Sequence, residues 1–341
     1  MSISIIIKAL NEADHIEMAI KSALIAAEPL GGEVILADSG STDGTIEIAM
    51  RFPVQIVQLS DWTEKSCGIG PELGFRQCKF PYVAIIDGDM EMDPDFGVSA
   101  LAFLKDHPEH AGVSGQIVEK SLDQLEYKRR DVRKPADMNP GDVDRLNSGA
   151  VYRRTAIEQA GYMSDRNLHA YEEYDLAVRL REHGWKLHRL ASVFVRHHGH
   201  RSNPYTLLWR RAKSKYLFGI GELLRAHLGT PRLLMLVKDL REIKLWIAIV
   251  GIWMAAVVGF ILAPSWTIAL ALIAFLALGP VPIMAYKYKS WEMGTYAVVA
   301  WHVFTYGFLR GLMSSRRDPK AFIGSKVIQT GSAHDPAEPA G

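Results

Sequence analysis

The sequence predicts an α/β domain built on a mainly parallel sheet, followed by C-terminal transmembrane helices. Two observations carry that expectation. Over residues 1–200, short β-branched runs alternate with segments of helical periodicity, the pattern of a parallel sheet covered on both faces. Beyond residue 244, "LWIAIVGIWMAAVVGFILA" (245–263) and "WTIALALIAFLALGPVPIMAY" (266–286) carry no charge. Each run is about 20 residues, which at about 1.5 Å per residue spans a hydrocarbon layer of about 30 Å.

In chain order, Ile3 to Ile7 reads as a strand and Asp14 to Ala26 as a helix. Val34 to Ala37 is a strand, Thr42 to Phe52 a helix, Val54 to Leu59 a strand, Ile69 to Gln77 a helix and Tyr82 to Ile86 a strand. Three strands end in polar motifs: "KALNE", "DSGSTDGT" and "DGD". In a parallel sheet these tips converge on the carboxyl edge, where such sheets bind ligands.

The chain has 341 residues and a net charge of +1, so nothing in its overall charge points to nucleic acid. Its two cysteines, Cys67 and Cys78, are too few for a disulfide scaffold and lack zinc-site spacing, which fits a reducing cytosolic setting. No basic region and cleavage site precede the apolar run at 3–7, so no signal peptide is expected.

The apolar strand at 83–86 runs into Asp87, Asp89, Glu91, Asp93 and Asp95 at every second position. On extended backbone such side chains share a face, and crowded carboxylates call for a cation. An EF-hand loop needs Gly at its sixth position and Glu at its twelfth, where this chain has Met92 and Val98. What remains is a D-x-D pair at a strand tip, whose oxygen ligands suit Mg²⁺ or Mn²⁺. Ser41 or Thr42 would cap the next helix and Asp43 would favour its positive end. Asp38, at the strand tip two residues before Gly40, is placed to accept hydrogen bonds from a base or sugar. "GIGPELG" (68–74) has its last glycine one residue too far for a dinucleotide fingerprint.

In "HAYEEYDLAVRLREHGWKL", Glu172, Glu173 and Asp175 gather at a helix start. They either complement the helix dipole or include a general base. In "VRHHGHRSN" (195–203), three histidines, His197, His198 and His200, stand beside Arg201 and could bind a metal. Zinc is the less favoured reading there, since no cysteine or fourth ligand stands nearby.

From Lys186 to Lys244, thirteen Lys and Arg face three acids, 13 − 3 = +10. With Lys287 and Lys289 after the second apolar run, positive-inside logic puts both outer ends of the hairpin in the cytoplasm. The expected domains are a catalytic domain at 1–200, a basic membrane-proximal helical segment at 201–244 and a transmembrane hairpin at 245–286. An interfacial helix or third span at 291–313 and a disordered tail at 325–341 complete the chain.

"IIIKALNEADHI", "ADSGSTDGT", "IIDGDMEMD" and "YEEYDLAVRLREHGW" stand in the order and rough spacing of family 2 glycosyltransferases. Over residues 2–200 the chain resembles that family. The resemblance implies the GT-A nucleotide-sugar-binding fold and a divalent cofactor, Mg²⁺ or Mn²⁺. It places Asn11 and Glu12 beside the nucleotide and Asp38 on the base. It makes Asp87 and Asp89 the D-x-D pair, with Asp89 the more direct metal ligand. The family usually has Glu-Asp where this chain has Glu172-Glu173; Glu173 then matches the base, with Glu172 a contender. Lys8 stands where the family commonly has proline.

The implied reaction is a direct displacement that inverts the anomeric centre. One sugar is added per encounter, since the Q-x-x-R-W of processive synthases is missing. The implied partners are a nucleotide-sugar donor, a lipid-linked acceptor in polysaccharide or glycolipid biosynthesis, and the inner membrane, with the catalytic domain in the cytoplasm and no nucleic acid. Transfer to a simple polyprenyl phosphate and an inactive nucleotide-binding scaffold are the other readings. Intact Asp38, Asp87, Asp89 and Glu pair weigh against the scaffold.

Overall fold

The structure is a computed structural model and describes residues 1–120, 138–147, 149–199 and 203–331. The chain divides into two compact units, residues 1–201 with 317–341, and residues 202–316.

In the first unit, β1 (Ile3–Ala9), β2 (Glu33–Asp38), β3 (Gln55–Leu59) and β4 (Tyr82–Asp87) form a parallel core. Ile3, Ile5 and Ile7 of β1 face one buried layer, with α1 (Ile16–Ala27) and α4 (Phe96–Asp106). Ile6 faces the other, with α3 (Ile69–Phe75), α5 (Arg154–Ala160) and α6 (Glu172–Glu182). Burial on both faces is why β1 reads as a near-continuous isoleucine run instead of an alternating one. Gly74 lets α3 lie close on β1, since a Cβ there would stand 2.4 Å from an Ile6 methyl.

Past β4 the sheet becomes mixed. β5 (Met90–Met92), β6 (His110–Glu119), β7 (Gly141–Val143), β8 (Ala150–Arg153) and β9 (Lys186–His197) extend it, with β8 antiparallel to both β4 and β6. β6 and β9 run parallel to each other, while β5 and β7 pair antiparallel to β9. At the far edge β10 (Ser325–Gln329) pairs antiparallel with β3. This corrects the expected disordered tail over 325–329: the alternating Val327 and Gln329 continue the sheet, and the Gln329 amide donates to the Phe52 and Val54 carbonyls. The rest of that tail, 332–341, lies outside the described residues. The helix expected from Thr42 is α2 (Thr45–Ala49), which starts at Thr45 after Gly44 with φ 94°.

Arg179 fixes α6. Buried at 1% exposure, it donates to Asp175 Oδ2 (2.8 Å) and to the carbonyls of Ala160, Tyr162 and Met163. Its guanidinium also lies 3.8 Å over the Tyr162 ring. Arg179→Met would remove the cation from a buried ion pair with the wholly buried Asp175, so we expect a loss of about 3–5 kcal/mol, read as a lower unfolding midpoint in urea. A midpoint unchanged from wild type would contradict this anchoring.

The second unit is helical. α7 (Pro204–Lys213) is capped by the Asn203 side chain, which accepts from Tyr205 N, with Pro204 at the first turn. α8 (Gly219–Ala226) and α9 (Arg232–Asp239) precede α10 (Arg241–Leu262), α11 (Trp266–Leu278), α12 (Pro280–Tyr288) and α13 (Trp291–Leu312). Glu242–Leu262 and Trp266–Tyr288 are long and apolar enough to cross a membrane. Only 17% of the most apolar stretch of each is buried within the molecule, unlike the core helix of a soluble domain. α13, expected as an interfacial helix or third span, packs against α12 and α8 through glycines. A Cβ on Gly294 would meet Ala285 N at 2.5 Å, and one on Gly311 the Phe218 carbonyl at 2.1 Å.

Candidate active site

The carboxyl tips of β1, β2 and β4 stand side by side, with Lys8 in register with Asp87 on one side and Ala37 on the other. Lys8 Nζ lies 3.0 Å from Asp87 Oδ1, 3.0 Å from Glu172 Oε1 and 3.9 Å from Glu173 Oε1. Burial opposes its charge, but Asp87, Glu172 and Glu173 together outweigh that and hold its pKa well above the ordinary lysine value. The residue set apart in the sequence as a departure is thus the cation that joins the D-x-D strand to the Glu pair.

The Glu pair opens α6 directly after Tyr171, which takes φ 68°. A left-handed conformation is costly for a bulky aromatic residue, and here it turns the chain so that both carboxylates face Lys8. Glu172 is 6% exposed and ion-paired, while the Glu173 side chain is 26% exposed and farther from Lys8. Burial, with the charge of Glu172 added, raises the Glu173 pKa to about 7. Pro71, Ile85, Gly149, Tyr152, Met163 and Leu176 complete the small pocket around these three residues. Burial raises the pKa of both cysteine thiols, Cys67 beside the Glu pair included, so neither offers a ready thiolate nucleophile.

Asp38 is fully buried, and its carboxylate is occupied by its own loop. Oδ2 accepts from Gly40 N (2.8 Å), Ser41 N (2.9 Å) and Gln58 Nε2 (2.9 Å), and Oδ1 from the Ser41 hydroxyl. In this structure it shapes the turn instead of presenting a free acceptor. Ser41 and Thr42, expected as helix caps, instead clamp the first motif. Asn11 N donates to Ser41 Oγ (2.8 Å), and Asn11 Oδ1 accepts from Thr42 N (2.8 Å). Asp43 Oδ2 accepts from Ala13 N (3.1 Å), and Thr45 Oγ1 from Glu12 N (2.9 Å). Asn11 itself has φ 59°, which asparagine tolerates.

Asp89, 9% exposed, lies with Oδ2 3.1 Å from His197 Nε2, and His197 Nδ1 lies 2.6 Å from Glu119 Oε2. Burial works against the His197 charge, but bonds to Asp89 and Glu119 raise its pKa to about 10. Glu119 had no signal in the sequence; only the β6–β9 register brings it opposite His197. His198 donates its backbone N–H to the Asp89 carbonyl (3.0 Å). His200 and Arg201 lie outside the described residues. Glu12 packs over Gly88, where a Cβ would meet its Cγ at 2.9 Å. Burial, then the charges of Asp89, Asp87 and Asp43, raise the Glu12 pKa to about 8.

This crowd of carboxylates fits a divalent cation with a preference for oxygen. Asp87 is drawn to Lys8, and among the described residues the groups of three possible ligands within 4.8 Å of one another lie elsewhere. The protein thus presents few ligands here, as is usual where Mg²⁺ or Mn²⁺ completes its shell with water and substrate phosphates.

The sequence model of glycosyl transferase family 2 matches residues 4–161. Succinoglycan biosynthesis protein ExoA of Rhizobium meliloti (strain 1021) is 49% identical over 51 residues, 15% of this chain and 16% of that protein. Probable glucomannan 4-beta-mannosyltransferase 1 of Arabidopsis thaliana is 28% identical over 131 residues, 36% of this chain and 23% of that protein. The chain therefore spans less than a quarter of the length of either relative. Among solved structures, the mannosyltransferase PcManGT of Pyrobaculum calidifontis, in complex with GDP-Man and Mn²⁺, superposes with a TM-score of 0.58 at 20% identity. That match covers 90% of this chain and 86% of the other, which establishes a shared GT-A fold. Over residues 4–161, a little under half of its length, the chain thus matches glycosyl transferase family 2.

Proposed function

We propose that the protein is an inverting, metal-dependent glycosyltransferase that moves one sugar from a nucleotide-sugar donor to a lipid-linked acceptor in polysaccharide or glycolipid biosynthesis. The observation that carries this reading is the pairing, across Lys8, of the D-G-D strand tip with a carboxyl of pKa about 7 at the start of α6. Glu173, the more open member of its pair, takes the proton of the acceptor hydroxyl as that oxygen attacks. Asp89, with Asp87 beside it, would hold Mg²⁺ or Mn²⁺, and such an ion neutralises charge on a leaving diphosphate. Asp38 positions the loop whose Ser41 and Thr42 clamp Asn11 and so sets the wall of the nucleotide site. The polysaccharide context follows the roles of the relatives, and the donor class follows the GDP-Man of the structural neighbour. The test is hydrolysis and transfer screened across nucleotide sugars by the membrane-bound chain, with Mn²⁺ and with chelator. Turnover of no donor under any condition would overturn the reading.

The catalytic unit faces the cytoplasm in this reading, because Lys and Arg flank both outer ends of the apolar hairpin. α7 adds a docking surface for the acceptor. Tyr205 and Trp209 are exposed, the latter at 71%, next to exposed Arg210, Lys213 and Lys215. Exposed aromatic rings among Lys and Arg suit a headgroup layer, and each cation there contributes about 1 kcal/mol to holding an anionic lipid. Changing Arg210, Arg211, Lys213 and Lys215 to Gln should lower acceptor transfer at least tenfold while slow donor hydrolysis persists. If both reactions fall together, or neither changes, α7 is not the acceptor's docking surface.

A further inference from the structure

A second cluster of ligating side chains lies at the opposite end of the same strands. His110 begins β6 and His188 lies near the start of β9, whereas Glu119 and His197, which close those two strands, stand at the carboxylate site. At about 3.3 Å per residue, the two clusters are about 30 Å apart. Asp142 of β7 is in register with His188. Its Oδ1 lies 2.7 Å from His188 Nδ1 and 2.9 Å from His110 Nε2. His110 is 4% exposed, and its other ring nitrogen, Nδ1, lies 3.3 Å from Glu109 Oε1. Phe103 holds the rings in place, stacked on His188 with centroids 4.4 Å apart and edge-on to His110 at 5.2 Å.

We propose that His110, His188 and Asp142 form a binding site for a late first-row divalent transition ion of the Zn²⁺ class. Two imidazoles and one carboxylate are the donor set such ions prefer over Mg²⁺. The three ligand atoms lie within 4.8 Å of one another, and a tetrahedral site with bonds of about 2.1 Å needs them about 3.4 Å apart. Lengthening the Asp142 contacts to His188 and His110 by about 0.7 and 0.5 Å therefore makes room for the ion. Glu109 Oε1 lies 3.3 Å from the second nitrogen of His110 without a hydrogen bond to it, near enough to turn into the carboxylate that commonly orients a metal-bound imidazole. The half-exposed Asp142 leaves the fourth position to water. An ion here ties the three-residue β7 to the starts of β6 and β9, so its role is to staple the sheet and not to touch the donor. The competing arrangement is a metal-free triangle in which both imidazoles simply donate to Asp142.

The probe is Zn²⁺ alone, titrated calorimetrically into the purified full chain with excess Mg²⁺ present to fill the oxygen site. Co²⁺ serves as a second probe, its visible absorption reporting nitrogen ligation. Wild type and Asp89→Ala should each bind one equivalent. Asp142→Asn, a surface change that leaves the core intact, and His188→Gln should each weaken binding at least tenfold, and Asp142→Asn should keep transfer activity in Mg²⁺ or Mn²⁺. Absence of Zn²⁺ binding by the wild type would overturn the proposal in favour of the metal-free triangle. So would binding unchanged in both cluster variants, or lost only in Asp89→Ala.

Discussion

Glu173→Gln is expected to retain donor binding and to lose transfer by about 10²- to 10⁴-fold, because an amide cannot take the hydroxyl proton. The choice between the two glutamates rests on their surroundings. Glu172 Oε1 is 3.0 Å from Lys8 Nζ in a nearly closed environment, so that oxygen is held by the ammonium. Glu173 stands 3.9 Å from the same ammonium and is the more exposed. Its pKa is raised to about 7, first by burial and then by Glu172. An acid with a raised pKa works as a base only above that value, so kcat/KM should climb about tenfold per pH unit below 7 and flatten above it. The folded protein holds this proton more tightly than the unfolded chain, with its ordinary value of 4.5. Ionising Glu173 therefore costs stability as pH rises from there through 7, and rate and stability change in opposite directions over that window. A large loss in Glu172→Gln with near-normal transfer in Glu173→Gln would move the base by one residue.

The sequence made the parallel half of the fold legible because its signals are local. β1, β2 and β4 are each a short apolar run ended by a polar tip, and in a parallel sheet those tips must meet at one edge. The antiparallel half carried no such signal. β4 meets β8 through Tyr82 and Arg153, far apart in the chain, and only that pairing turns β6 and β9 so that Glu119 and His197 close on Asp89. Lys8 was visible as a departure from the family pattern, but its bridging role needs the register with Asp87. Asp38 was correctly placed at a strand tip, yet its occupied lone pairs depend on Gln58, on a neighbouring strand. The segment at 325–329 was hidden by context. Gly, Pro and Ala after it gave the window a disordered composition, while its own Val327 and Ile328 are good strand formers.

Asp89→Ala should reduce transfer by at least about 10²- to 10³-fold, the scale of losing one preorganised electrostatic contact to a developing charge, while the fold and membrane location stay intact. The side chain sits past the end of β4, after Gly88, and β5 turns the chain back from it against β9. Its environment is polar and its exposure only 9%, so truncation leaves no apolar cavity, and Glu119 still accepts from His197 at 2.6 Å. The loss should therefore fall on ligand binding and not on stability. Mn²⁺ binding followed by electron paramagnetic resonance in the presence of a nucleoside diphosphate separates the two, with weaker binding expected in the variant at an unchanged melting temperature. Asp87→Ala should differ in kind. Asp87 is turned to Lys8 at 3.0 Å, so its removal also frees that ammonium to draw closer to the Glu pair and should shift the pH profile of transfer to lower values. Wild-type transfer in Asp89→Ala, or by the wild type in excess chelator, would remove the metal from this site. Loss of Mn²⁺ binding in Asp87→Ala with full retention in Asp89→Ala would reverse the order of the two ligands.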